Sequence, residues 1–170
     1  MSDALGAELS EQLLEACRRD NTELLTQVLS QGVTAEFLNS TKDAIGNSAV
    51  LLACKAGAID SLDILLDQDD VEIDSTNLLD QDTPLHVTVR SFREQPELAM
   101  AVLKLLLEAG ADPFVKNYNQ QRPLDLVEAS QIEMRTTLVK AEVSWQLAKE
   151  QDDAEENSSG SQSQSSSEVG

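Results

Sequence analysis

The residues Thr83-Pro84-Leu85-His86-Val87-Thr88-Val89 begin the stretch that decides the fold. Proline is suited to the first turn of a helix, where its missing N–H loses no hydrogen bond, and the threonine before it can serve as the N-cap. After a short break, Val102-Leu103-Lys104-Leu105-Leu106-Leu107 has the i, i+3, i+4 apolar spacing of a helix packed on one side, and Gly110 follows as a helix C-cap. This stretch predicts two short helices joined by a tight turn.

The same helix pair recurs along the chain. Equivalent small positions in the first helix are 37, 35 and 39 residues apart, at Ala16, Ala53, Thr88 and Val127. The second helices of the earlier copies end at Gly32 and at Asp69-Asp70, and a fourth, degenerate copy begins at Arg122-Pro123-Leu124. Short insertions are expected around residues 34–40 and 92–97, where Pro96 fits a helix start. We therefore predict an all-α solenoid of about three to four stacked helix-turn-helix repeats.

Three motifs resemble the ankyrin repeat. Thr83-Pro84-Leu85-His86 is similar to the family's Thr-Pro-Leu-His signature, and residues 105–113 resemble the end of its second helix and the start of its finger loop. Residues 117–124 resemble the junction into the next repeat. The similarity covers about residues 9–145 and extends loosely to small fungal ankyrin-repeat proteins with an acidic, Ser-rich tail. Gln81 and Gln120 replace the usual loop glycine, which puts the finger geometry in question.

The charge of the chain restricts its partners. The 170 residues include 31 Asp and Glu against 12 Lys and Arg, giving a formal charge of -19. This balance argues against direct binding to nucleic acid, whose phosphates need Lys and Arg, and against anionic membrane surfaces. It favours a basic protein partner, or serves only solubility.

The ends of the chain and its cysteines indicate a compartment and two regions. Because there is no signal-peptide pattern and no long apolar run, we expect a cytoplasmic or nuclear protein that is a monomer in solution. Cys17 and Cys54 occupy equivalent positions and are expected to be core residues without a disulfide. We predict an ankyrin-repeat domain over residues 1–146 with a charge of -14 and a disordered acidic, Ser-rich tail over residues 147–170 with -5. Residues 132–147 would close the stack, with Val139, Val143 and Trp145 packed against it.

Few residues suggest chemistry. His86, the only histidine, could be a base or a metal ligand, but no second ligand or nucleophile accompanies it, so a structural hydrogen bond is favoured. The acidic run 67–74 lacks the glycine and closing glutamate of a calcium loop. We therefore expect no metal, no cofactor and no enzymatic activity.

A protein-binding role is the leading hypothesis, since the resemblance implies a concave interaction surface. The expected contacts at the finger tips are Leu78, Leu79, Asp80, Tyr118 and Asn119, because exposed apolar and aromatic groups suit binding hot spots. A basic ladder of Arg18, Lys55 and Arg90 on successive first helices could bind an acidic peptide or the chain's own tail. Residues 60–82, with nine acids and no base, could dock a basic partner. Either could instead be an ordinary solvated surface.

Two alternative functions remain open. One is an acidic escort for a basic protein such as a ribosomal protein or a histone. The other is a regulatory subunit with a phosphorylatable tail, suggested by the acidic residue that follows the serines at residues 165–168.

Overall fold

The computed structural model describes residues 2–160, with the side chains of residues 3–157. Within this range the chain is helical, and its pairing of extended backbone is limited to one isolated bridge between Lys42 and Ser48. The helices are α1 (Ser2–Arg19), α2 (Thr22–Leu29), α3 (Ala35–Ser40), α4 (Ala49–Ala56), α5 (Ile59–Leu66), α6 (Pro84–Ser91), α7 (Pro96–Glu108), a 3-10 helix (Pro123–Leu126) and α8 (Ile132–Gly160). The predicted all-α architecture is confirmed over the described residues.

Three helix pairs stack side by side. The pairs are α1 with α2, α4 with α5, and α6 with α7. The first helices form one row, in which α1 packs on α4, α4 on α6, and α6 on the 3-10 helix. The second helices form another row, in which α2 packs on α5 and α5 on α7. Each pair therefore buries its apolar face against its neighbours, as a solenoid requires.

One apolar core runs through the stack. Leucines supply most of its fully buried side chains, among them Leu13, Leu25, Leu62, Leu85, Leu103 and Leu138. Cys17 and Cys54 lie within this core as free, buried cysteines. Burial raises the pKa of the Cys17 thiol to about 12, and that of Cys54 further still, so both are neutral thiols at physiological pH.

The helix starts follow the predicted signals. Thr83 is the N-cap of α6 with Pro84 behind it, and Pro96 occupies the first turn of α7. Helix α5 has no side-chain cap of its own, because its N-cap is Ala58. Instead Asp20, at the end of α1, accepts the N–H of Ser61 at 2.8 Å, so the first repeat caps a helix of the second.

The expected insertion at residues 34–40 forms a helix of its own. Thr34 caps α3 by accepting the N–H of Phe37, and Leu38 reaches the core. Asn39 fastens α3 to the next repeat, because its amide donates to the carbonyl of Asp70 and accepts the N–H of Glu72. The insertion thus joins two repeats.

The C-terminal end differs from the expectation in two respects. The fourth copy begins with a single 3-10 turn, which ends as Val127 takes an extended backbone. Helix α8 then packs through Met134 and Leu138, whereas Val139 and Val143 are 43% and 50% exposed and Trp145 is partly exposed. The expected packing of Val139 and Val143 is wrong because they lie roughly 100° and 140° around the helix from Leu138, outside its buried face.

Helix α8 also continues past the predicted domain boundary. Residues 147–160 are helical, although the sequence predicted disorder from residue 147 onward. Alanine, glutamate, glutamine and lysine dominate residues 147–156 and all favour helix, which accounts for the continuation. The rest of the predicted tail, residues 161–170, lies outside the described residues.

Candidate protein-binding surface

Three loops connect successive repeats and share one construction. Finger 1 (residues 43–47), finger 2 (77–82) and finger 3 (117–121) are each closed by a hydrogen bond from the first backbone N–H to the last carbonyl, at 3.0, 3.2 and 3.0 Å. In each, the side-chain oxygen of the first residue accepts two backbone N–H groups from within the loop; these residues are Asp43, Asn77 and Asn117. Such turns hold a loop in one shape without help from a ligand.

Asp43 shows how strongly this loop hydrogen bonding acts. Burial alone would raise the pKa of its carboxyl, but hydrogen bonds from the backbone and side chain of Asn47 and from the Ile45 N–H lower it overall. The carboxylate of finger 1 is therefore ionised at all physiological pH values.

Neighbouring fingers are also bonded to one another. The N–H of Leu78 donates to the carbonyl of Ile45 at 3.1 Å, and the N–H of Tyr118 donates to the carbonyl of Asp80 at 2.8 Å. The Asn117 amide donates to the buried Asp82 carboxylate at 2.9 Å. The three fingers therefore form one continuous, fixed edge.

Apolar side chains lie at the tips of this edge. Leu78, Leu79 and Tyr118 are 74%, 66% and 71% exposed, and Asp80 and Asn119 beside them are exposed as well. Finger 2 is one residue longer than fingers 1 and 3, and Leu78 and Leu79 lie within it. The structure thus brings together the five finger residues chosen from the sequence.

Sequence reasoning missed one member of this group. Ile45 is 39% exposed at the tip of finger 1 and lies beside Leu78 through the backbone hydrogen bond described above. Its place immediately before Gly46 in a finger loop is the signal that could have identified it. We call Ile45, Leu78, Leu79 and Tyr118 the finger-tip patch.

The two glutamines that replace the loop glycine keep the finger geometry. Gln81 and Gln120 have φ angles of 53° and 60°, close to the 82° of Gly46. Gly46 itself cannot carry a side chain, since a Cβ there would lie 2.5 Å from Leu78 Cγ. The departures noted in the sequence therefore change the residue and not the loop.

His86 is a structural residue. Its Nε2 donates to the carbonyl of Gln121 at 2.7 Å, so its Nδ1 accepts the N–H of Thr83 at 3.1 Å and the Thr83 hydroxyl at 2.8 Å. The ring is fully buried, and burial lowers its pKa, so the neutral form is favoured. It joins the start of α6 to finger 3.

The basic ladder is largely neutralised by the fingers. Arg18 lies 3.8 Å from the carboxylate of Asp43, and Arg90 Nε lies 3.0 Å from that of Asp82. Lys55 is exposed and, among the described side chains, makes no ion pair. Of the three predicted cations, Lys55 alone therefore offers an unpaired charge beside the fingers.

Two of the nine acids in residues 60–82 make contacts within the fold, and the other seven are exposed. Asp82 is buried against Arg90 and Asn117, and Asp74 accepts the N–H of Asp112 at 3.1 Å. The remaining acids are exposed on α5, on the loop after it, and at the finger-2 tip: Asp60, Asp63, Asp67, Asp69, Asp70, Glu72 and Asp80.

None of the helices over residues 2–160 has both the length and the apolar content needed to cross a bilayer.

Comparison with known proteins agrees with this architecture. Residues 13–117 match the family model for ankyrin repeats in three copies. The chain is 47% identical over 134 residues to the ankyrin repeat-containing protein YGL242C of Saccharomyces cerevisiae, an alignment that covers 75% of this chain and 74% of the yeast protein. Ankyrin repeats generally mediate protein–protein interaction and are typically non-catalytic. On its repeats, its fingers and these matches, the chain belongs to the ankyrin-repeat family.

Proposed function

We propose that this chain is a non-catalytic interaction module that binds one protein partner through the finger-tip patch and the adjoining first helices. The observation that carries the proposal is the exposure of Leu78, Leu79 and Tyr118 on a hydrogen-bonded edge. Apolar and aromatic side chains in water gain most from burial at an interface. Since the loops are already fixed, little conformational entropy is lost when a partner binds.

The chemistry of the reactive residues supports a non-catalytic role. Both ring nitrogens of His86 are engaged in hydrogen bonds, and the ring is buried. Cys17 and Cys54 are buried with raised thiol pKa values, which disfavours the nucleophilic thiolate.

The test is affinity purification with a patch variant. Leu79→Ser with Tyr118→Ser removes two exposed apolar groups, and both are chosen over Leu78 because Leu78 also packs on Gly46. Recovery of a partner, measured by quantitative mass spectrometry, should fall at least tenfold. The matched control is Val143→Ser, which changes a half-exposed apolar residue on α8 and should leave recovery unchanged. Equal recovery with the finger variant would contradict the proposal.

The exposed acids favour a second candidate, an acidic escort for a basic protein such as a ribosomal protein or a histone. Six exposed acids of α5 and the loop after it, between Asp60 and Glu72, lie near no base in the sequence. Pull-downs at stepped NaCl should release basic proteins as salt rises, because exposed charges are screened. A partner set without basic proteins would eliminate this candidate.

The regulatory role of the Ser-rich tail remains a prediction, because residues 165–168 lie outside the described residues. Intact mass of the protein purified from cells tests it, and a mass without phosphate would oppose it.

We also propose that the protein is located in the cytoplasm or the nucleus. Imaging of a fluorescently tagged chain tests this location.

A further inference from the structure

A second concave surface lies away from the fingers, between α7 and the middle of α8. This cavity of about 440 Å³ is open to solvent. Its apolar lining comes from both sides: Leu107, Ala111 and Pro113 from α7 and the loop after it, and Ala141, Trp145 and Ala148 from α8. We call it the α7/α8 groove.

The groove stays open because of how α8 is attached. Helix α8 is fixed near its start, where Met134 and Leu138 are buried and Arg122 pairs with Glu142 at 3.1 Å. Farther along, small residues face α7, so the side chain of Trp145 remains partly exposed beside the apolar floor. An open groove of this size is in the range that binds short peptide segments or small ligands.

The lining of the groove carries a net positive charge, whereas the chain as a whole is strongly acidic. Lys104 and Lys140 line it, and Lys149 lies 5.8 Å from the centre of the Trp145 ring. Glu108 is the one acid in the lining. Among the described side chains these three lysines form no ion pair, whereas five arginines pair with nearby carboxylates: Arg18, Arg19, Arg90, Arg93 and Arg122. A chain of charge -19 therefore gathers unpaired positive charge at an apolar groove.

We propose that the α7/α8 groove docks an acidic partner segment that carries aliphatic side chains. The aliphatic groups pack against Trp145 and the Leu107 floor, and the carboxylates pair with Lys104 and Lys140. Burying both kinds of group at one site gives affinity through apolar area and selectivity through charge. This occupant is opposite in charge to the basic partner that the exposed acids of α5 would attract, so the groove is a docking surface separate from the finger-tip patch.

The sole tryptophan of the chain provides the measurement. A displayed library of random twelve-residue peptides without tryptophan is selected on the full chain and counter-selected on the Lys104→Glu/Lys140→Glu variant. The retained peptides should combine Asp or Glu with Leu, Ile or Val. As synthetic peptides they should change the fluorescence of Trp145 on titration, bind the double variant at least tenfold more weakly, and lose affinity as NaCl is raised.

The matched control is Arg135→Glu, which reverses an exposed charge on the same helix outside the groove lining. It should bind the selected peptides as the parent chain does, and circular dichroism should show all three proteins equally helical. The proposal is overturned if counter-selection leaves no peptides, if those retained lack acidic residues, or if they bind without affecting Trp145. Peptides that counter-selection removes bind without the groove lysines, and loss of their binding in the Leu79→Ser/Tyr118→Ser variant would assign them to the finger-tip patch. A selection that yields only such peptides supports the proposed function and overturns the groove proposal.

Discussion

At the scale of single residues, four non-glycine residues within residues 2–160 have a left-handed backbone. Asp20, Asp70, Gln81 and Gln120 have φ between 51° and 60°, and Gly46 takes the place of the two glutamines in finger 1. A left-handed conformation costs a residue with a Cβ about 1–2 kcal/mol. Asp20 offsets that cost by capping α5, whereas the hydrogen bonds of the described structure give the exposed side chain of Gln120 no such role.

Replacing Gln120 by glycine should therefore stabilise the chain. Relief of the left-handed strain exceeds the added entropy of the unfolded chain, so the free energy of unfolding should rise by about 0.5–1 kcal/mol. Urea denaturation followed by circular dichroism measures it. Asn119→Gly is the control, since Asn119 is outside the positive-φ set and should lose stability. A loss with Gln120→Gly would show that finger 3 does not hold this backbone.

The carboxyl group of Asp74 lies where its charged form is disfavoured. Burial raises the pKa of its carboxyl to about 6, with the nearby charges of Asp112 and Glu72 adding to the shift. Its oxygens accept the N–H of Asp112, just as the neutral Asn39 accepts the N–H of Glu72 one repeat earlier. The folded chain holds a proton here that the unfolded chain releases near pH 4, so the contribution of Asp74 to stability falls as pH rises from about 4 to about 6.

Asp74→Asn should stabilise the chain at neutral pH. The amide can accept the same N–H without a charge, so we expect a gain of about 1 kcal/mol at pH 7.5, after allowance for solvent screening of the partly exposed carboxyl. The gain should shrink toward zero near pH 4, because at that pH the Asp74 carboxyl of the folded parent chain is protonated and no buried charge is left for the amide to remove. Urea denaturation at both pH values measures this, with the exposed Asp67→Asn as charge control. A gain of equal size at both pH values would contradict the role given to the carboxyl.

At the scale of elements, the ends of the solenoid determine how the stack is closed. Helix α8 carries two apolar stripes, one toward the repeats through Met134 and Leu138, the other exposed at Ile132, Val139, Val143 and Leu147. With apolar residues on both sides, periodicity alone does not say which side is buried. The 3-10 helix and the Arg122–Glu142 ion pair set the rotation of α8 and therefore the buried stripe.

Truncation of two adjacent residues tests this orientation. Leu138→Ala removes a fully buried side chain and should cost about 2–4 kcal/mol of unfolding free energy through lost contacts and a cavity. Val139→Ala, outside the buried face, should change stability by less than about 0.5 kcal/mol. Thermal and urea denaturation of both variants measure the difference. Equal costs would mean that α8 is rotated from the position described.

At the scale of the whole molecule, the net negative charge destabilises the compact folded state. The formal charge is -19, and the described ion pairs engage only five arginines, so most acids repel one another across the surface. Self-repulsion of this kind destabilises a compact state and is weakened by salt, since the Debye length falls from about 10 Å at 0.1 M to about 3 Å at 1 M.

Raising NaCl from 20 mM to 500 mM should therefore stabilise the chain. We expect about 1 kcal/mol, which corresponds to a rise in Tm of about 2–4 °C for a protein of this size. Differential scanning calorimetry provides the measurement. In the Asp60→Asn/Asp63→Asn/Asp67→Asn variant the same salt step should raise Tm by less. A fall of Tm with salt in the parent chain would show that its ion pairs outweigh the repulsion.

The sequence alone predicted the repeat pattern, the helix pairs with their caps, and the exposed finger positions of Leu78, Leu79, Asp80, Tyr118 and Asn119. That these five residues bind a partner stays a prediction. These features depend on local physics: apolar periodicity, proline at a first helical turn, and polar loop residues between helices. Contacts between distant residues decided the rest. They paired Arg18 and Arg90 with finger acids, selected the buried stripe of α8, and opened the groove beside Trp145. The sequence states whether a residue is charged or apolar, but which other residue of the chain it contacts depends on the surfaces that the stacked repeats bring together.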